Sequence, residues 1–309
     1  MNEAASLRLV FVATGDIALP AFRNLLEKGP RPLALVTQPD KPVGRHQTLQ
    51  PPTLKLDALK AGVAVLQPAV IGDIAAELAA LAPDVIVVMA YGQILRSNIL
   101  AVARRAIINL HASLLPRHRG ASCIQAAIEA GDGETGVTSM HVIRELDAGD
   151  VILAKAIRID ADETGGGLHD RLAELAPEVL EETLERLAAG TASRSPQDAT
   201  LATYAPKLER EHGRINWGLE ATVLERRIRA YDPWPGTFTM VREAEEAKRL
   251  KVFPPVEVCE GGLQPGEISI QDGQLRVGCG SGTLRLFEVQ PEGSRRMSAT
   301  EYLRGRQPC

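Results

Sequence analysis

The sequence predicts an α/β chain: a Rossmann-like, mostly parallel sheet first, then a second, smaller OB-like β-barrel domain. Three features carry that prediction. Apolar runs alternate with amphipathic helical segments over the first 190 residues, the order that builds a parallel sheet with helical crossovers. A polar Ser/Thr/Pro-containing stretch, TASRSPQDATLATYAPKLER, then interrupts the alternation and reads as an interdomain linker. Short β-like runs separated by turn signals follow it, as in a small barrel. The expected division is residues 1–190, a linker at 191–206, and residues 207–309.

LRLVFVATGD reads as a buried strand ending in a turn at Gly15. IALPAFRNLLEKG has helical apolar spacing and a glycine stop. PLALVTQPD is a second strand, IGDIAAELAALAP a helix and DVIVVMAYG a further strand. RRAIINLH is apolar and β-branched enough for a buried strand, and Pro116 and Gly120 break the structure after it. VTSMHVI and DVILAKAIRI are two strands joined through RELDAGD as a hairpin. LHDRLAELAPEVLEETLERLAAG closes the first domain as a helix. In the second, the helix EATVLERRIRAY precedes the strands GTFTMV, KRLKVFPPVEV, GEISI, GQLRVGC and GTLRLFEVQ.

Composition narrows the function. The 309 residues are 45% hydrophobic and 24% charged, ordinary for a soluble globular protein. A net charge of −4 argues against indiscriminate nucleic-acid binding while allowing a local basic face. Cys123, Cys259, Cys279 and Cys309 stand far apart without CxxC spacing, as reduced thiols of a cytosolic protein do, and none reads as a metal ligand. The apolar run near the N-terminus is too short for a signal peptide, and no window reaches the length of a membrane span. A cytoplasmic protein without metal or membrane contact is expected. Gly15 stands alone, so the dinucleotide fingerprint is missing and NAD is disfavoured.

The chemistry-bearing stretch is NLHASLLPRHRG, Asn109 to Gly120. Strand side chains alternate faces, so Asn109 and His111 point the same way. Open α/β sheets place ligands at such strand ends. Taken alone, Asn-x-His is more often a hydrogen-bonded strand end than a catalytic pair, and Asp147 in LDAGD is more often a turn residue.

NLHASLLPRHRGAS followed by AGDGETGVTSMHVIRELDAGDVI resembles the core of the 10-formyltetrahydrofolate-dependent formyltransferases, and the resemblance extends over essentially the whole chain. It implies a transferase using 10-formyltetrahydrofolate as formyl donor. The family's catalytic Asn, His and Asp fall on Asn109, His111 and Asp147, with the His and Asp 36 positions apart. The SLLP segment of Ser113, Leu114, Leu115 and Pro116 corresponds to folate contacts. TQPDKPVGRHQTLQPPTLK resembles the loop by which the members acting on methionyl-tRNA reach the acceptor stem, and it makes Lys41 and Arg45 candidate tRNA contacts. GRINW, IRAYDPWPGTF and LFEVQPEGSRRMSATEYLRG resemble those members' second, tRNA-binding domain. Initiator methionyl-tRNA is thus the implied acceptor and partner, and a monomer is expected. Alternatives left open are an amino-sugar nucleotide as acceptor, or hydrolysis to formate at the same Asn/His/Asp set. The chain departs from the usual pattern at Gly15, His118, Ser122 and Cys123, which flank the pocket.

Such a transfer passes through a tetrahedral intermediate with a developing oxyanion, which preorganised donors stabilise. Asn109 and a protonated His111 are suited to donate, and Asp147 to orient the imidazole. Residues 205–309 hold 16 Lys and Arg against 15 Asp and Glu, so a tRNA face there requires spatial segregation of charge. His141, His169, Trp217 and Trp234 are expected to be structural.

Overall fold

The runs LVFVA, VIVVM and AII are β-branched and apolar at successive positions, so their strands must be covered on both sides. The structure, a computed structural model, describes residues 3–43, 47–243 and 246–304. It divides into two compact units: residues 1–120, 135–157 and 169–204 form the first, and residues 121–134, 158–168 and 205–309 the second.

In chain order the amino-terminal half holds β1 (Leu9–Ala13), α1 (Leu19–Glu27), β2 (Ala34–Val36), β3 (Lys41–Val43), β4 (Thr48–Gln50), α2 (Thr53–Lys60), β5 (Ala64–Leu66), α3 (Ala75–Ala80) and β6 (Val85–Met89). Then come α4 (Ser97–Leu100), β7 (Ala106–His111), α5 (Cys123–Ala130), β8 (Glu134–His141), β9 (Val151–Arg158) and α6 (Gly165–Ala188). The main sheet runs β5-β2-β1-β6-β7-β8-β9. β1 pairs in parallel with β2 and β6, and β6 with β7, whereas β8 lies antiparallel to β7. All five residues of β1 and of β6 are buried. Val10, Val12, Val36, Ile86, Val88 and Ile107 share one core cluster on this sheet.

The predicted strands and long helices are present. The expected hairpin appears as the neighbours β8 and β9. β5, α2, α4 and α5 are additional; they are short elements whose apolar patterns span too few residues to show a period. α5 belongs to the second unit, where Glu129 pairs with Arg227 and accepts from the Tyr231 hydroxyl.

That unit also holds α7 (Ala221–Ala230), β10 (Thr237–Glu243), β11 (Glu246–Cys259), β12 (Ile268–Gln271), β13 (Gln274–Gly278), β14 (Thr283–Pro291), β15 (Met297–Ser298) and α8 (Ala299–Leu303). Its antiparallel sheet follows β10-β11-β14-β13-β12, with β15 on β14. β11 is one 14-residue strand whose register shifts between Phe253 and Val256. The Pro254-Pro255 pair explains the shift, since proline supplies no ladder donor. Leu224 and Ile228 of α7 pack with Leu250, Val252, Leu284 and Leu286 in this unit's core. Trp217 donates from Nε1 to Thr239 Oγ1 (2.9 Å) beside that core. Trp234, in contrast, is 48% exposed, so it is not the packing anchor that the sequence suggested. Among the described residues no helix is long and apolar enough to cross a membrane.

His141 is structural in the expected sense and carries a pH dependence. It pairs with Ile108 on the sheet face opposite to His111, and its Nε2 is buried without a partner. Burial pushes its pKa below the usual histidine value, and Arg194 adds to the effect while Asp150 opposes it. The unfolded chain therefore binds a proton that the folded chain refuses. Stability should hold above the unfolded pKa of about 6.5 and fall as pH drops from there toward the folded value. Urea unfolding at pH 7.5 and 5.5 checks this, and His141→Gln should lose less stability over that interval than wild type.

Candidate active site

β7 is buried along its length apart from the half-buried Asn109. Alternation sends Asn109 and His111 to one face, opposite Met140 and Thr138 of β8. The antiparallel partner thereby supplies a polar group, Thr138, directly beside the histidine.

The chain after β7 folds back through side-chain bonds to its own backbone. Ser113 Oγ donates to the Arg117 carbonyl (2.7 Å), and Thr138 Oγ1 donates to the Ser113 carbonyl (2.6 Å). Thr138 Oγ1 also accepts from Leu115 N (3.3 Å). Ser113 is fully buried in this closure, while Leu114, Leu115 and Pro116 are half-buried. Ser113 thus shapes the SLLP turn from within, and the next three residues are the ones with surface left for a ligand.

At the end of the loop, His118 adopts φ +56° and Gly120 φ +104°. His118 N donates to Thr203 Oγ1 (2.8 Å), and its carbonyl lies 2.9 Å from His111 Nε2. Gly120 N donates to Asp147 Oδ2 (2.8 Å). Asp147 itself sits at φ +50° in the β8–β9 loop. Its Oδ2 is 3.7 Å from His111 Nδ1, and its Oδ1 accepts from Asn109 Nδ2 at 3.5 Å. The His111 and Asp147 side chains are 8% and 9% exposed. A carboxylate removed from water to this degree needs donors around it, and here a backbone N–H, an amide and an imidazole surround it.

The structure therefore brings Asn109, His111 and Asp147 together across 38 positions of sequence. The imidazole faces acceptors on both sides: a proton on Nε2 donates to the His118 carbonyl, and one on Nδ1 would donate toward Asp147. The cluster combines an amide donor, a proton carrier and a carboxylate, with no Ser or Cys nucleophile among them. That set suits transfer between an enzyme-bound donor and acceptor by direct attack.

Lys41 is exposed on β3, which forms a separate two-stranded hairpin with β4. Arg45 lies outside the described residues. Before the hairpin, Asp40 accepts from Lys55 Nζ (2.8 Å) and Gln67 Nε2 (2.7 Å). The Gln67 bond first, then Lys55, hold its carboxyl below the usual range. Among the described residues no group of three or more His, Cys, Asp or Glu side chains is placed to hold a metal ion.

Beside the three predicted residues, the site holds the backbone of His118, the side chain of Thr138, and Gln197, whose Nε2 donates to the Asp147 carbonyl (2.9 Å). None of these added groups has a signal of its own. The carbonyl that meets His111 depends on a left-handed turn, and Thr138 becomes visible only through antiparallel register.

Comparison with known proteins bears on the chain as a whole. A family model described as formyl transferase matches residues 9–184, and one described as formyl transferase, C-terminal domain, matches residues 207–307. The chain is 49% identical over 304 residues to the methionyl-tRNA formyltransferase of Akkermansia muciniphila, covering 97% of this chain and 96% of that one. It is 43% identical over 305 residues to the enzyme of the same name from Geobacter metallireducens, with the same coverages. Among solved structures, the Helicobacter canadensis N-formyltransferase with folinic acid and dTDP-3-aminofucose superimposes with TM-score 0.67 at 15% identity, over 92% of this chain and 99% of that one. HypX from Aquifex aeolicus with tetrahydrofolic acid gives TM-score 0.59 at 19% identity, over 96% of this chain and 47% of the longer HypX chain. At these identities the two structures speak for the fold alone.

Proposed function

The chain belongs to the formyl transferase family, and from that premise we propose how its own residues carry the reaction. It is an enzyme that moves the formyl group of 10-formyltetrahydrofolate to the free amino group of methionyl-tRNA. The observation that most supports assigning the chemistry to Asn109, His111 and Asp147 is the return of Asp147 to within 3.7 Å of the His111 ring, 36 positions downstream.

The amine nitrogen attacks the formyl carbon, an N–C bond forms, and the carbonyl oxygen takes up negative charge. Asn109 Nδ2 donates to that oxygen through the N–H not aimed at Asp147, and His111 supplies the second donor by turning its Nε2 from the His118 carbonyl toward the substrate. Collapse breaks the bond to folate N10. The proton lost by the amine reaches N10 through His111, with water completing the path. An α-amino group has a reference pKa of about 8, so a proton acceptor beside it raises the reactive neutral fraction. Asp147 orients the imidazole, its Oδ2 lying 3.7 Å from Nδ1. Ser113 shapes the folate turn, and Leu114, Leu115 and Pro116 present its apolar surface to the pterin-bearing donor.

The acceptor is the initiator form of methionyl-tRNA. Residues 1–190 bind folate, 191–206 link, and 207–309 extend the tRNA-binding surface; the enzyme works as a cytoplasmic monomer. Lys41 and Arg45 meet the acceptor stem. Arg45→Ala should leave the folate KM unchanged and lower kcat/KM for methionyl-tRNA by about 10- to 100-fold, as loss of a bidentate contact does. If Arg45 contacts phosphate, the log–log salt slope of tRNA binding should become shallower by about one counterion. Arg45→Lys should rescue only in part. Side-by-side tRNA and folate kinetics for the three proteins test the reading, and equal tRNA kinetics would remove Arg45 from it.

A further inference from the structure

The segment following α6 is held against the site from the start. Ser195 pairs with Val151 through both backbone bonds, Ser195 N to Val151 O (3.1 Å) and Val151 N to Ser195 O (2.9 Å). Two residues on, the Gln197 side chain reaches between the loops that carry the site. Its Nε2 donates to the carbonyls of Asp147 (2.9 Å) and Gly149 (2.8 Å). Its Oε1 accepts from Arg119 Nε (3.1 Å) and Nη2 (2.7 Å). The orientation of the amide follows from its partners, because carbonyls require its NH2 and a guanidinium requires its oxygen.

Each end of this clamp sits next to a group that touches the triad. Asp147 carries the carboxylate and is held at φ +50°, a left-handed conformation that L residues adopt reluctantly. Gly149 lies so close to β8 that a Cβ there would meet the His141 carbonyl at 1.8 Å. Arg119 precedes Gly120, whose N–H donates to Asp147 Oδ2. One amide thus fixes the backbone of the carboxylate's turn and, through Arg119, the loop that donates to that carboxylate.

We propose that Gln197 is a positioning residue for formyl transfer, clamping the Asp147–Gly149 turn to the Arg119–Gly120 loop so that Asp147 stays beside His111. This rests on the role given to Asp147 above. Gln197 touches neither substrate. It acts only through the placement of Asp147, so its loss should fall on kcat.

Gln197→Leu keeps the bulk and removes the four bonds to Asp147, Gly149 and Arg119, along with a weak contact to Met140 Sδ. A misplacement on the scale of 1 Å at a reacting centre costs about 10²-fold, so kcat should fall by about 10- to 100-fold while the folate KM stays within about twofold. A purely structural role would instead lower the melting temperature and the fraction of active enzyme, leaving turnover per active site intact. The decisive arm repeats the change in an Asp147→Ala background. There Gln197→Leu should add less than about a twofold loss, since residues acting as a unit are not additive. Gln197→Glu retains an acceptor for Arg119 but lacks both donors, and it should show the same kcat loss. It decides the question should the leucine variant fail to fold.

Wild-type kcat in Gln197→Leu, a full multiplicative loss in the Asp147→Ala background, or a defect confined to folate KM would each overturn the proposal. If Asp147→Ala is impaired and Gln197→Leu is not, only this inference falls. If Asp147→Ala retains wild-type turnover, the triad reading falls with it.

Discussion

His111→Ala is expected to lower kcat for formyl transfer by about 10²- to 10³-fold, the usual cost of losing one oxyanion donor, and to leave folate binding within about twofold. The imidazole is nearly fully buried between the His118 carbonyl and Asp147. On the role proposed for it, removing the ring takes away both a donor and the proton path, and the half-buried surface of the SLLP turn is made by other residues. Asn109→Ala and Asp147→Ala should each cause losses of similar order, falling on kcat more than on KM. Combined variants should be less impaired than the product of the single losses, because the three groups meet at one transition state. Single-turnover rates with saturating folate and tRNA measure this directly. Near-full turnover in His111→Ala would remove the histidine from the mechanism.

Gly136→Ala should produce a large loss of stability. A Cβ there would lie 2.0 Å from the Lys155 carbonyl and 2.8 Å from Leu114 Cδ2. Real Cβ atoms do not approach backbone oxygen so closely, so β9 must move away from β8 or the SLLP turn must shift. Overpacking of this kind costs about 1–3 kcal/mol, and the backbone obstacle puts this case at the upper end. A melting temperature lowered by roughly 5–10 °C, together with a raised folate KM, is the expected result. The KM change follows because Leu114 belongs to the displaced turn. Gly133→Ala is the control, since nothing lies within 4 Å of its Cβ position and its φ is not in the left-handed region. Equal melting temperatures for the two variants would mean that β8 and β9 accommodate the methyl group.

The parts of the fold that the sequence announces are those whose burial leaves a repeating signal. β1, β6 and β7 are continuous apolar runs because both of their faces are covered, and α6 and α7 show long helical periods. α5 escapes because eight residues with four buried positions do not establish a period. β3 and β4 are three-residue strands inside a Pro-rich loop, with no apolar alternation to mark them.

The site divides in the same way. Asn109, His111 and Asp147 stand out only through the resemblance of the segments around them to the formyl transferase family, since alone they read as a strand end and a turn. The groups that hold them are not visible, because a backbone carbonyl at His118 and a backbone N–H at Gly120 have no letter in the sequence. Gln197 lies in a polar stretch whose composition suggests a connector. Its position between two loops arises from the Val151–Ser195 pairing, a long-range contact with no local pattern. Trp234 differs from expectation for a related reason: an aromatic residue between prolines has the letters of an anchor, and its 48% exposure depends on tertiary context.

The central claim is that this site transfers formyl from 10-formyltetrahydrofolate to the amino group of methionyl-tRNA. The most direct test supplies purified protein with that donor and three possible acceptors: charged initiator tRNA, an amino-sugar nucleotide, and water alone. The expected result is N-formylmethionyl-tRNA in one-to-one ratio with deformylated folate, an untouched sugar nucleotide, and no formate release above background. Formyl on the sugar nucleotide, or formate released while the tRNA stays unmodified, would contradict it.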